Sequence, residues 1–108
     1  MSSPTDAVLQ HVHDHFEADQ VPFLERLVNT PSHTYAKDDV ENAAVLLDER
    51  AQAQGLSVTK HADPGDTFAD HRVYETPAAQ NGEKAICLVG HVDTVFPRSM
   101  QFLDYKRD

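Results

Sequence analysis

Ala85-Ile86-Cys87-Leu88-Val89-Gly90-His91-Val92-Asp93-Thr94-Val95-Phe96-Pro97 begins with five consecutive apolar residues and then presents a histidine and a carboxylate two residues apart. A continuous apolar run has no polar face to offer water. It predicts a strand covered on both faces and central in its sheet. Cys87 then sits inside that strand as a small buried hydrophobe, and apolar burial raises a thiol pKa, which argues against a nucleophile there. The chemistry falls where the strand leaves the core. Ligands of open α/β sheets collect beyond the carboxyl ends of the strands, and His91 with Asp93 at that end reads as one edge of a metal site.

Upstream of this strand the periodicity is helical. Val8, Val12 and Phe16, with Leu9 beside them, predict an amphipathic helix over residues 5–18, capped by Ser3 or Thr5. Pro22 is tolerated only near a helix start, so a kink or restart is expected between Asp19 and Val21. A second segment, Phe23 to Asn29, puts Phe23, Leu24, Leu27 and Val28 on the core side and stops at Thr30-Pro31. Asp38 and Glu41 have capping-box spacing, and Val40, Ala43, Ala44, Leu47 and Ala51 mark one face of a helix that Gly55 ends. Residues 56–60 alternate as a half-exposed strand, and residues 72–75 predict a second. Turns fall at residues 63–66 and 77–82, and a weak strand at residues 101–106. The order of helix, helix, strand, strand, buried strand predicts an α/β domain with a mixed sheet, the early part of a larger layered fold.

The chain has 108 residues, with nine basic and eighteen acidic side chains and a net charge of -9. Such a surface repels nucleic-acid phosphates and anionic lipid, which argues against nucleic-acid and membrane partners. One cysteine permits no internal disulfide. The residues from Met1 to Asp6 lack the basic and apolar regions of a signal peptide, and no stretch reaches membrane-spanning length, so a cytoplasmic location is expected.

Residues 90–97, Gly-His-Val-Asp-Thr-Val-Phe-Pro, resemble the first metal-binding motif of the zinc-dependent peptidase family. That family includes glutamate carboxypeptidase (carboxypeptidase G), aminoacylase, acetylornithine deacetylase and succinyl-diaminopimelate desuccinylase. Residues 23–32, Phe-Leu-Glu-Arg-Leu-Val-Asn-Thr-Pro-Ser, are similar to the family's first helix and the turn after it. The resemblance implies that residues 1–108 are the N-terminal portion of a mixed-sheet α/β catalytic domain, incomplete and without the family's dimerisation domain. It implies His91 as a ligand to one of two Zn²⁺ ions, with Co²⁺ or Mn²⁺ as alternatives. Asp93 joins the catalytic group by orienting the His91 imidazole and raising its basicity. The implied reaction is hydrolysis of an amide bond in a small peptide or N-acyl amino acid by a dizinc-activated water, in a protein that is a homodimer when full length. The family's bridging aspartate, glutamate base and remaining ligands have no counterpart here. Catalytic zinc takes about three protein ligands, so the chain alone is expected to be inactive. The alternative is a non-catalytic fragment that binds the complementary piece of a split enzyme.

Each polar constellation also has a structural reading. A buried His91 hydrogen-bonded to a neighbouring Asp93 has the same H-x-D spelling. His11-Val12-His13-Asp14-His15 falls one residue short of the metallo-β-lactamase-like metal motif. On a helix only His11 and His15 share a face, with Val12 and Phe16 toward the core. Ser32, His33 and Thr34 suggest a nucleophile beside a base, and in the structural reading are a loop whose hydroxyls cap the following helix. His61 and His71 read as surface residues. Arg98 and Lys106 follow the motif, either within reach of an anionic substrate or as ordinary surface charges.

Overall fold

A computed structural model describes residues 3–108; Met1 and Ser2, the start of the stretch inspected for a leader, lie outside the described residues. The first helix, α1, spans Pro4–His15 and is capped by Ser3, whose Oγ accepts from the Asp6 N–H while the Asp6 carboxylate accepts from the Ser3 N–H. Phe16–Gln20 follow as one wide π turn, in which the Val21 N–H bonds to the Phe16 carbonyl. Pro22 explains the widening: its ring and missing N–H are incompatible with a regular bond to the residue four before it. Helix α2 then runs over Val21–Val28. The expected core face of α1 is uncovered. Val8 and Leu9 are each 63% exposed, and Val12 and Phe16 are also exposed; among the described residues Phe16 is approached by the Arg107 guanidinium.

Helix α3, Lys37–Ala53, provides the buried core, from Val40, Ala43, Ala44 and Ala51. Its start differs from the expected capping box. The cap position is Ala36, which has no side-chain acceptor, and Asp38 lies inside the first turn; Glu41 bonds to Arg72 and the Asp70 N–H. Its end is as expected. Gly55 takes φ +81°, and the bonds Leu56 N–H to Ala51 O at 2.9 Å and Gly55 N–H to Gln52 O at 3.0 Å close a Schellman motif.

Strands β1, Ser57–His61, and β2, His71–Glu75, form an antiparallel hairpin in which Thr59 faces Val73. The connection is held by Asp63, whose Oδ2 accepts from the N–H groups of Thr67 and Phe68. A buried polar cluster joins α3 to β2. The Arg72 side chain is 5% exposed and donates to Glu41 at 2.7 Å, to Asp48 at 3.3 Å and to the Asp70 carbonyl at 2.8 Å. The Tyr74 hydroxyl donates to Asp48 at 2.8 Å. Helix α4, Pro77–Gln80, is capped by Thr76 where a turn was expected.

The predicted central strand is the main correction. Residues 83–93 belong to no strand, and no backbone hydrogen bond ties residues 84–92 to the other described residues. Ile86, Leu88 and Val89 are 92%, 93% and 92% exposed, and Cys87 is exposed, not buried. The reason is topological. A central strand needs neighbours on both edges, and the sheet among the described residues ends with two strands. Residues 101–106 likewise form no strand, and a short 3₁₀ turn at Arg98–Met100 precedes them. The radius of gyration, 16.3 Å, exceeds the roughly 13 Å of a compact domain of 100 residues.

An apolar segment bare on consecutive residues should bind hydrophobic dyes and drive association of the isolated chain. Strong 8-anilinonaphthalene-1-sulfonate fluorescence and concentration-dependent sedimentation are expected. Both should fall in an Ile86→Lys, Val89→Glu double variant, and a dye-silent monomeric parent chain would contradict the uncovered state.

Candidate metal centre

The motif follows the uncovered segment and is fastened to the loop after α2. Thr30-Pro31 ends that helix, and the chain turns so that Ser32–Thr34 lie beside Thr94. The Thr94 N–H donates to the Ser32 carbonyl at 2.7 Å and the Thr34 N–H to the Thr94 carbonyl at 3.0 Å, a single parallel rung opposite His33. This rung joins residues far apart in sequence and holds Asp93 in place.

Asp93 carries two sets of contacts. Its Oδ2 accepts a 2.6 Å bond from the Thr34 hydroxyl, and its Oδ1 lies 3.4 Å from His91 Nδ1. Its backbone carbonyl lies 2.9 Å from the same nitrogen. Both neighbours of Nδ1 are acceptors, which favours a proton on Nδ1; in the neutral ring the lone pair then falls on Nε2. The His91 side chain is 83% exposed, which leaves Nε2 accessible. The hydrogen bond from Thr34 is the largest influence on Asp93 and holds its carboxyl below the ordinary carboxylate range. Ionised Asp93 is the state that accepts from both sides.

An open groove of about 820 Å³ lies between α3, β2 and the segment Leu88–Asp93, with Val40, Ala44 and Leu47 on one wall and His91 and Asp93 on another. Among the described residues no three His, Cys, Asp or Glu side chains converge as a metal site. Zinc takes about three protein ligands at a catalytic site. At the groove the described residues offer one oriented imidazole, that of His91, which does not make a zinc site on its own.

The other candidates disperse. The His11 and His15 rings stack at 4.0 Å, and His15 Nδ1 lies 2.8 Å from the His11 carbonyl. Ser32 is buried with its hydroxyl 3.5 Å from that of Thr94, while the His33 ring packs edge-on against Tyr35. No nucleophile–base pair forms there. Thr34 does not cap α3, contrary to its sequence reading, because its hydroxyl is committed to Asp93. His61 and His71 are exposed cross-strand partners. Arg98 makes a bidentate pair with Asp39 at 2.8 and 2.9 Å, which occupies the guanidinium, and Lys106 is exposed.

The spacing of residues 91 and 93 gave a sequence signal for the pair, since alternate residues of an extended segment share a face. Thr34 gave none, because its contact spans a distance in sequence that no local pattern reports. No protein-family model matches the chain, and no curated protein sequence or solved structure does either.

Proposed function

We propose that this chain is the N-terminal portion of a metal-dependent amidohydrolase or carboxypeptidase. In this reading His91 supplies one zinc ligand through Nε2 and Asp93 orients its ring. The observation that carries the reading is the His91–Asp93 arrangement itself: Nδ1 lies 2.9 Å from the Asp93 carbonyl with the carboxylate 3.4 Å away, on a side chain that is otherwise exposed. Metal-bound histidines are commonly held in this way, with the second ring nitrogen bonded to a carboxylate or carbonyl. The substrate class is a small peptide or N-acyl amino acid, and the active protein is a homodimer built from a longer chain. The remaining ligands and the general base come from outside residues 1–108, so the 108-residue chain does not hydrolyse amides alone.

A second reading, a non-catalytic piece completed by another polypeptide, draws on the uncovered run at residues 85–89. Such a run demands cover from a sheet neighbour, whichever chain provides it. Intact mass measurement of the native gene product separates the two. A product several times 12.0 kDa is expected, and a native product of 12.0 kDa would overturn the hydrolase reading in favour of the second.

A further inference from the structure

We infer that Asn81-Gly82 is a site of spontaneous covalent modification, where the Asn81 amide is lost as ammonia and the residue becomes isoaspartate or aspartate. The Gly82 amide nitrogen attacks Asn81 Cγ. A new N–Cγ bond forms, the Cγ–Nδ2 bond breaks, and ammonia leaves with the Gly82 amide proton. The product is a cyclic succinimide, which solvent water opens on either side. Cleavage between the Gly82 nitrogen and Cγ gives aspartate, and cleavage at the Asn81 main-chain carbon gives isoaspartate, in which the backbone runs through Cγ. No oxidant or reductant takes part.

Three asparagines occur in the chain, and their surroundings separate them. Asn42 lies within α3, and the following Ala43 is 2% exposed, so the attacking nitrogen there is fixed in a helix and packed. Asn29 is followed by Thr30, whose branched Cβ crowds the nitrogen, and its Oδ1 accepts from the Tyr105 N–H at 2.7 Å. Asn81 is exposed at the end of α4 and is followed by a residue with no Cβ to shield its nitrogen.

The resting conformation is not the reactive one. Asn81 has ψ 9°, and the Gly82 N–H donates to the Ala79 carbonyl at 3.1 Å, so the nitrogen must be released before Cγ can reach it. Little opposes that release. Helix α4 has four residues, none of them buried, and no backbone hydrogen bond ties residues 84–92 to the other described residues. A short, solvent-exposed turn of this kind opens at low free-energy cost. The isoaspartate product puts an added backbone carbon and a negative charge between β2 and the bare run at residues 85–89.

Peptide mapping by mass spectrometry of the full 108-residue chain, held in mildly alkaline buffer and sampled over time, reads each asparagine separately. Electron-transfer fragmentation distinguishes isoaspartate from aspartate. Asn81 should convert at least about tenfold faster than Asn29 and Asn42, a barrier difference of about 1.4 kcal/mol, with isoaspartate the larger product. Gly82→Ala should slow the conversion. A Cβ at this position meets nothing within 4 Å, and the strain of a side chain at φ +82° favours opening of α4, so slowing there reports shielding of the nitrogen. Conversion at Asn81 no faster than at the other two asparagines, an unchanged rate in Gly82→Ala, or conversion seen only in urea would each overturn the inference.

Discussion

Replacing Arg72 by methionine is expected to cost about 3–5 kcal/mol, the range for removing one partner of a buried ion pair. This is a large share of the roughly 5–15 kcal/mol that stabilises a whole domain. The Arg72 side chain is 5% exposed, and the Asp48 and Glu41 side chains that it pairs with are 10% and 26% exposed. Methionine fills much of the volume but leaves both carboxylates facing a low-dielectric gap. Little else offsets the loss, because the buried apolar core of α3 is three alanines and one valine. Urea titration followed by circular dichroism should show an early or absent transition. A midpoint equal to the parent's would show that the cluster contributes little.

The same cluster sets an acid dependence. The hydrogen bond from Arg72 is the main influence on Glu41 and lowers its carboxyl from the ordinary 4.5. A group depressed in the folded state binds protons more readily in the unfolded chain. Its contribution is therefore complete above the ordinary value and is lost as pH falls through the lowered one. Parent stability should decline below about pH 4.5, and Arg72→Met should flatten that part of the decline, since Glu41 then loses the cause of its shift.

What was legible in the sequence follows from how local each interaction is. The face of α3 was readable from Val40, Ala43, Ala44 and Ala51, and its stop from Gly55, because helix periodicity and a left-handed cap are local properties. The two strands were readable, the first from its alternation, as was the Asp-Pro-Gly-Asp turn between them; their antiparallel pairing is a finding of the structure. Glu41 was misassigned as a capping residue because nothing near it in sequence announces Arg72. Thr34 was misassigned for the same reason, with Asp93 as the distant partner. The run at residues 85–89 reads in sequence as a buried central strand, and the structure overturns that reading: apolar composition states a demand for cover but supplies no neighbours, and the described residues contain none for it.

The same reasoning separates the two residues of the motif. His91→Ala removes the imidazole whose Nδ1 lies against Asp93; if the proposed function holds, it should lower zinc content and abolish amide hydrolysis in the full-length gene product. Asp93→Asn keeps the backbone carbonyl 2.9 Å from Nδ1 but replaces the carboxylate that Thr34 fixes. It should retain most of the metal and lose roughly 10–100-fold in rate, the usual consequence of disturbing a ligand's hydrogen-bond partner. The contrast is diagnostic, because a histidine with a merely structural role would place both variants in the same class of modest stability loss.

The most direct measurement is the zinc content per chain of the full-length product and of its His91→Ala variant, taken alongside hydrolysis of an N-acyl amino acid. The account predicts bound zinc and activity in the parent, and loss of both in the variant. Equal zinc and equal rates in the two proteins would contradict it.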